Sequence, residues 1–476
     1  MYKTAHDSFI TFKKQIAPMK MTTLNKKPKH LSLFNAVHPF CLYAVTFVIT
    51  ATLFVGTANA QDRTITLDEA IKLGLDNSKT LKLSQSKIDQ AVSEYNQAKD
   101  QSLPTGKISY GYTHAEIPAN RLALGPESFN LPNRADAYLG ILTLNQTIFE
   151  GNKLKYARQS TDLLTQVARL DVVNDKDQIT YDIISSYYSL YKVLQSEKVV
   201  AQNLTTVDAQ IKQAQRFFEQ GLVTKNDVLR FQLQRSNIEI NGVDLETNRR
   251  IVNYNLNVLL GLPEGTQLNI DQITEADRQI APFSNYLDTA MSNRPELQQF
   301  DLRTKVAETN IKSIKGNTLP TLAASVAGYY VDANINPIPK SGNYITPLTG
   351  GLTLSWSFSS LWTNKNKVTE AKIQREQSVI NKNIMVDRIK DEVNQDYQNY
   401  TSALNKIKLL QVAIEQAGEN NKILESKYKS NISSATDRAD AETLLYQAQI
   451  NLELAKADAG LAYYTLLKST GKINKQ

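Results

Sequence analysis

Cysteine, histidine, proline and glycine are all scarce where a fold or a reaction would use them, and each shortage removes something. The chain has 476 residues and one cysteine, Cys41. It lies in an apolar run, Phe40 to Val55, that follows the basic patch Lys26-Lys27-Pro28-Lys29 and ends at Ala58-Asn59-Ala60. Basic, apolar, then small-x-small is the order of a cleavable secretory signal. Residues 1–60 are therefore expected to be a leader, with Met19 or Met21 as good a start as Met1. The apolar run is shorter than the roughly 20 residues a helix needs to span a bilayer. Without the leader no cysteine remains, which excludes disulfides, thiol catalysis, thiolate metal sites and a lipidated cysteine. His6, His30 and His38 go with it. His114 is then alone, so neither a multi-histidine zinc site nor a histidine relay can be assembled.

The charge excess is also a property of the leader. Seven lysines and one acid, Asp7, fall in 1–60, and the other 47 basic and 46 acidic side chains nearly cancel. The formal +7 thus gives no support to a nucleic-acid partner. Glycine-rich phosphate loops and G-x-S-x-G elbows do not occur. No cofactor, metal site or enzymatic activity is expected.

Proline is missing between Asn133 and Leu262 and again after Leu348. A proline costs about 3 kcal/mol inside a helix, so both stretches are free to be helical. Each reads as a very long helix, a tight turn and a second helix of roughly 35 residues. The long ones, 153–220 and 363–430, would reach roughly 100 Å at 1.5 Å per residue. In the first, the turn is Gln220-Gly221-Leu222-Val223-Thr224, with Thr224 or Asn226 as N-cap. Before it, Val200, Leu204, Val207, Ile211, Ala214 and Phe218 step by four and three. After it, Val228, Phe231, Ile238, Leu245, Val252, Leu256 and Leu259 keep that rhythm, interrupted at Arg235, Gly242 and Arg249. This is coiled-coil periodicity.

The two stretches are copies. A shift of 210 carries Val200 onto Leu410, Phe218 onto Tyr428, Gly221 onto Asn431, Asp227 onto Asp437 and Gly261 onto Gly471. Leu142-Thr143-Leu144 lands on Leu352-Thr353-Leu354. The expected fold is mainly α with membrane β-strands, a duplicated helix–strand–strand–helix–helix unit. Its first repeat covers 61–262, a linker 263–283, and the second repeat 284–476.

The strands are read from alternation. Leu352, Leu354, Trp356 and Phe358 alternate with Thr353, Ser355 and Ser357; Leu142 and Leu144 with Thr143 and Asn145; Ile108, Tyr110 and Tyr112 with Ser109, Gly111 and Thr113. Leu322 to Tyr330 is the fourth strand, and 115–135 and 332–349 are joining loops. Two hairpins of a soluble sheet would show the same alternation; secretion and the flanking helices favour a lipid face at Leu142, Leu144, Leu352, Leu354 and Trp356. Thr143, Asn145 and Ser355 would then line a lumen, and Trp356, Trp362, Tyr110, Tyr112, Tyr329 and Tyr330 are candidates for interfacial girdles. Four strands cannot close a barrel, since the smallest in membranes have about eight, so two or three chains are needed. A barrel continued by a ring of helices about 100 Å long is a conduit.

In this order of elements the chain resembles the TolC family of outer-membrane efflux ducts. The resemblance rests on Asn293-Arg294-Pro295-Glu296-Leu297 opening the second repeat, Leu103-Pro104 and Leu319-Pro320 before each first strand, and Gly261-Leu262-Pro263 closing the first repeat. It implies a homotrimer with a 12-stranded β-barrel in the outer membrane of a Gram-negative bacterium, continued by a long α-helical periplasmic barrel. It also implies a periplasmic adaptor protein and an inner-membrane transporter as partners, in tripartite efflux or type I secretion.

Functional residues of that family lie at the periplasmic tip. Asp437 and Asp440, three apart in Thr436-Asp437-Arg438-Ala439-Asp440, match its paired aspartates and would form a cation-attracting ring in a trimer. An early-turn acid favoured by the helix dipole is the plainer account of Asp437. The first repeat has Asp227 and Arg230 at the equivalent places. Asp227 and Tyr428 match two members of the family's closing latch, whose arginine is Ser433 here. The latch would then be weaker, or rebuilt around Arg438 or Lys456. The alternative function is a periplasmic coiled-coil adaptor or structural protein, which would be soluble and have no lipid-facing strands.

Overall fold

The computed structural model describes residues 62–116, 121–130, 134–270, 280–336 and 345–474, all in the unit that begins at Ala60. The expected leader lies outside the described residues, as do 271–279 of the segment read as a linker.

Each half runs in the same order. In the first, β1 (Asp62–Ile65), α1 (Leu67–Asn77) and α2 (Lys79–Asp100) lead to β2 (Thr105–Glu116). A small hairpin, β3 (Arg121–Leu124) and β4 (Glu127–Asn130), precedes β5 (Arg134–Glu150), then α3 (Lys153–Glu219) and α4 (Lys225–Leu260). After β6 (Gln267–Ile270) the second half has α5 (Phe283–Asn293), α6 (Pro295–Gly316), β7 (Thr321–Asn336), β8 (Leu348–Ser355), α7 (Ser360–Lys429) and α8 (Ala435–Ser469). The long helices α3 and α7, of 67 and 70 residues, are each about 100 Å in length.

Both helical turns are made the same way. Gly221 (φ 73°) and Asn431 (φ 56°) take the left-handed conformation that reverses the chain. Three residues later, Thr224 and Ser434 start α4 and α8. The Asp227 carboxylate accepts the Thr224 N–H at 2.8 Å and that of Asp437 accepts the Ser434 N–H at 3.1 Å. These are capping boxes with aspartate in the third position.

Four strands form one antiparallel sheet in the order β2-β5-β7-β8. They are longer than alternation suggests. The joining loop expected at 115–135 contains the β3–β4 hairpin, and β7 runs on to Asn336 through Asp332 and Asn334. Ladder bonds to β5 hold those poor strand formers extended, as tertiary pairing commonly overrides β-propensity. Trp356 falls one residue past β8, where its indole N–H donates to the Thr318 carbonyl at 3.1 Å.

Two features hold the halves together. Along the antiparallel α3–α8 seam, Asn203 donates to Gln449 at 3.4 Å and Gln210 to Glu442 at 3.2 Å, one heptad apart on each helix. Buried polar layers of this kind fix register in a coiled coil. Further up, β1 and β6 pair in parallel above a core of Ile183, Ile184, Tyr187, Leu190, Leu256 and Leu260. The Asn253 amide fastens β6 through Thr266 and Leu268. Arg294, the second residue of the repeat-opening motif, is buried and clasps Glu296 and Glu392 at 3.0 Å and the Ser469 carbonyl at 3.2 Å. The motif is thus a clasp that binds α6 to α7 and α8.

Where sheet gives way to helix, Gly151 (φ 60°) and Gly316 meet backbone to backbone. A Cβ on Gly151 would stand 2.2 Å from the Gly316 carbonyl oxygen. Gly151→Ala is expected to cost about 1–3 kcal/mol through this contact, which thermal unfolding of the detergent-extracted protein measures; an unchanged midpoint would show that the junction yields.

Candidate functional site: the sheet faces and the helical tip

The register divides the sheet's side chains between two faces, one mainly apolar, with Leu139, Ile141 and Val331 among the side chains of the other. One face carries the row Ile108–Leu142–Gly328–Leu348 and, beside it, Gly106–Leu144–Val326–Gly350. Leu352 and Leu354 continue it downward; Tyr110, Tyr112, Tyr138 and Tyr330 continue it upward. These side chains are exposed: Leu142 is 51% accessible, Leu352 71% and Ile108 80%. From Leu322 to Asp332 the band is about 33 Å of strand, which a tilt of about 40° brings to the roughly 25 Å of a membrane barrel's apolar belt. Tyr112 and Tyr138 pack at 5.0 Å near its upper edge, and beyond them Asp136 binds the Tyr112 hydroxyl at 2.8 Å and His114 at 2.6 Å. Trp356, Phe358 and Trp362 gather at the lower edge, the last two 6.0 Å apart. An apolar belt between an aromatic girdle and charged groups is the profile of a surface crossing from lipid to water. No described helix is long and apolar enough to cross a membrane.

The opposite face carries Lys107, Thr143, Ala327 and Thr349 in one row, with Asn145, Ser325, Thr353 and Ser355 nearer the helices. Thr143, Asn145 and Ser355 therefore share one face, opposite the exposed apolar rows. Lys107 shares it too, and sequence reasoning passed it over; its place between Gly106 and Ile108 was the available signal. Tyr329 falls on this face and Tyr330 on the other, so only Tyr330 is placed for a girdle.

At the other end of the long helices, the two turns pack together. Val228 and Phe231 of α4, Tyr428 of α7, Ala435 and Ala439 of α8 and Ala214 of α3 form one buried cluster. Tyr428 is 3% exposed and meets Phe217 at 5.8 Å and Phe231 at 5.9 Å. Its counterpart under the 210 shift, Phe218, is 45% exposed; the heptad reading had both as core, and Phe217 takes the core place instead. Burial, and then the Asp227 charge, raise the Tyr428 pKa. Its hydroxyl has no hydrogen-bond partner among the described residues, and Asp227 is committed to its own helix start. The two residues expected to form a latch are therefore neighbours without a bond to each other in the single protomer.

The paired aspartates have separate environments. Asp437 caps α8, and its bonds from the Ser434 hydroxyl and N–H hold its carboxyl below the ordinary range. Asp440 is exposed and lies 3.7 Å from Arg230 of α4, and Arg230 also lowers the Asp437 pKa. The arginine that repeat equivalence sets at Asp440's place thus meets Asp440 itself. Arg438, one residue beyond Asp437, turns inward. Both it and Glu442 are 5% exposed, with their charged ends 3.0 Å apart, and it also bonds Asn421. Its ion pairs and hydrogen bonds go there, not to Asp227 or Tyr428, because adjacent positions point about 100° apart around a helix. Lys456 pairs with Glu453 on its own helix at 2.9 Å. Neither residue reaches Asp227 or Tyr428 in this arrangement, so neither takes the part expected of a latch arginine.

A family model described as outer membrane efflux protein matches residues 70–262 and 286–472. The chain belongs to the outer membrane efflux protein family. The outer membrane efflux protein BepC of Brucella suis is 21% identical over 448 residues, 91% of this chain and 90% of that protein. Among solved structures, the outer membrane protein VceC of Vibrio cholerae superposes with a TM-score of 0.70 at 16% identity, over 85% of this chain and 96% of the other. The CmeC outer membrane channel of Campylobacter jejuni gives 0.69 at 14%, over 95% and 94%. These structures establish the fold, and the family match establishes the role: this efflux protein is an outer-membrane exit duct of a Gram-negative efflux system. The periplasmic adaptor alternative is thereby set aside.

Removing Arg438 leaves Glu442 buried without its cation. Arg438→Met is expected to destabilise the tip by about 3–5 kcal/mol, and Arg438→Met with Glu442→Leu to recover most of it. Hydrogen exchange over residues 435–446 checks this, and equal protection in all three proteins would mean the pair does not hold the tip.

Proposed function

We propose that three copies of this efflux protein assemble into one continuous duct, a 12-stranded barrel in the outer membrane followed by a helical barrel in the periplasm. The observation that carries it is that each protomer has two open edges of matching kind. β2 and β8 are the outer strands of the described sheet; they run antiparallel, so β8 of one copy can extend the ladder onto β2 of the next. Open edges are not tolerated in lipid.

The helices support the same reading. α4 carries a second apolar stripe, including Leu229, Leu233, Ile240, Val243, Ile251 and Val258, that its own protomer leaves exposed. α7 exposes Leu409, Val412 and Ile423. Counted from the two turns, Ile423 is level with Leu229 and Leu233, and Val412 and Leu409 with Ile240 and Val243. The stripes fit one another across a boundary between copies as a second coiled-coil seam. Leu142, Leu144, Leu352 and Leu354 then face lipid and Trp356 its periplasmic rim.

The duct is passive rather than enzymatic, and its family supports a periplasmic adaptor and an inner-membrane transporter as its partners. Asp437 and Asp440 of three copies ring the periplasmic entrance. Arg230 stands against them in each copy, so the ring's net charge is half what six free carboxylates would supply. Tyr428 in the buried cluster, and the Arg438–Glu442 pair that Gln210 of α3 reaches, keep the two turns of each protomer together, while Asp227 fixes the start of α4.

The native mass of the detergent-extracted protein tests the assembly. Three protomers are expected, with Ile240→Glu shifting the mass toward one; a monomeric wild-type protein would overturn the duct. In the reconstituted pore, Asp437→Ala with Asp440→Ala should lower cation selectivity and block by divalent cations, and Arg230→Ala should raise both. Unchanged reversal potentials would remove the ring.

A further inference from the structure

Lys107 stands out once the sheet's two faces are sorted. Between the bulge near Thr147 and the top of the described strands, it is the only residue on the face opposite the apolar belt that carries a charge at neutral pH. It lies in the row of Thr143, Ala327 and Thr349, next to the row Ile108–Leu142–Gly328–Leu348, and so at mid-height of the belt. A lysine directed into lipid at that depth is strongly unfavourable, so its place marks this face as the wet one. Its immediate face neighbours on β2, Thr105 and Ser109, carry no charge. The carboxylate on this face nearest the sheet's foot, Glu150, is paired with Lys153 at 2.9 Å.

We propose that Lys107 forms a ring of three cationic side chains inside the outer-membrane barrel, which attracts solutes bearing carboxylate, phosphate or sulfate groups at the exit. This rests on the trimeric duct proposed above. It does not depend on how β8 of the next copy is registered on β2. The β8 residues on the lumen face are Thr349, Gly351, Thr353 and Ser355, so every register that keeps the apolar belt continuous places an uncharged residue beside Lys107. The ring therefore keeps its charge in the assembled barrel, where low-dielectric walls focus its field. The duct then carries opposite signs at its two ends, with aspartates at the periplasmic tip and lysines within the membrane.

The sequence after residue 60 contains no cysteine, which permits a direct test. Ser109→Cys, two positions along the same face, reports the local potential through its labelling rates with an anionic and a cationic water-soluble thiol reagent. Reagents are added outside intact outer-membrane vesicles, so the state of the periplasmic tip does not enter. The expected result is faster labelling by the anionic reagent, a several-fold fall in the anionic-to-cationic ratio in Lys107→Gln, and inversion in Lys107→Glu; Lys107→Arg should keep the wild-type ratio. Ile108→Cys, on the belt, should be protected by lipid from both. A ratio unmoved by Lys107→Gln in a protein of three-protomer mass would overturn the ring and leave the duct standing. A monomeric mass, with Ser109→Cys and Ile108→Cys labelled alike, would instead overturn the duct. The Gln variant keeps the test open if the Glu variant does not assemble, since it adds no charge to the barrel.

Discussion

Backbone amides and carbonyls at the rim of a sheet have no water to bind in lipid, and here both rims, β2 and β8, present them. The other features of the chain answer to that constraint. A sheet of four strands with one apolar face and two open rims is incomplete by itself, and only a closed ring of such sheets satisfies it. Because the strands of each hairpin continue directly into α3 and α7, closing the ring in the membrane draws the long helices into a ring as well. The exposed stripe of α4 and the exposed positions of α7 are what this second closure requires. One hydrogen-bonding rule in the membrane thus determines what the helices must bury outside it.

The duplicated architecture shows how far two copies of one unit can diverge while the backbone stays the same. Gly221 and Asn431 adopt the same left-handed turn, and Asp227 and Asp437 close the same capping box. Around those fixed points the side chains part company. Tyr428 is core where Phe218 is surface, and Arg230 stands opposite Asp440 rather than repeating it. The buried Arg438–Glu442 pair, reached by Gln210 from α3, joins the halves where a purely apolar seam would leave their register free to slide. Repetition supplies the scaffold, and the differences supply a helical tip with its own electrostatics.

The helices and their turns were legible in the sequence because their determinants are local. Absence of proline, a seven-residue apolar rhythm, a residue that tolerates positive φ and a capping box each act within a few positions. The hairpin strands near Leu142 and Leu352 were legible for the same reason, since alternation is a property of neighbouring residues. The duplication made the order of elements plain, and the family resemblance it revealed agreed with the family match.

What was hidden depends on partners distant in the chain. The extension of β7 to Asn336, the pairing of β1 with β6 and the meeting of Arg230 with Asp440 all join residues far apart in sequence, and no local pattern encodes them. The inward turn of Arg438 is of the same kind, since a position on a helix names a face but not what covers that face. Lys107 lay in full view as a lone charge in an alternating strand. It took the register of four strands to show that no acid shares its face above the bulge. The sequence by itself determined which segments are helix, strand and turn, because those preferences are written over short ranges. The tertiary structure alone decided which charges face one another and which share a face of the sheet, because electrostatic partnership is set by distance in space.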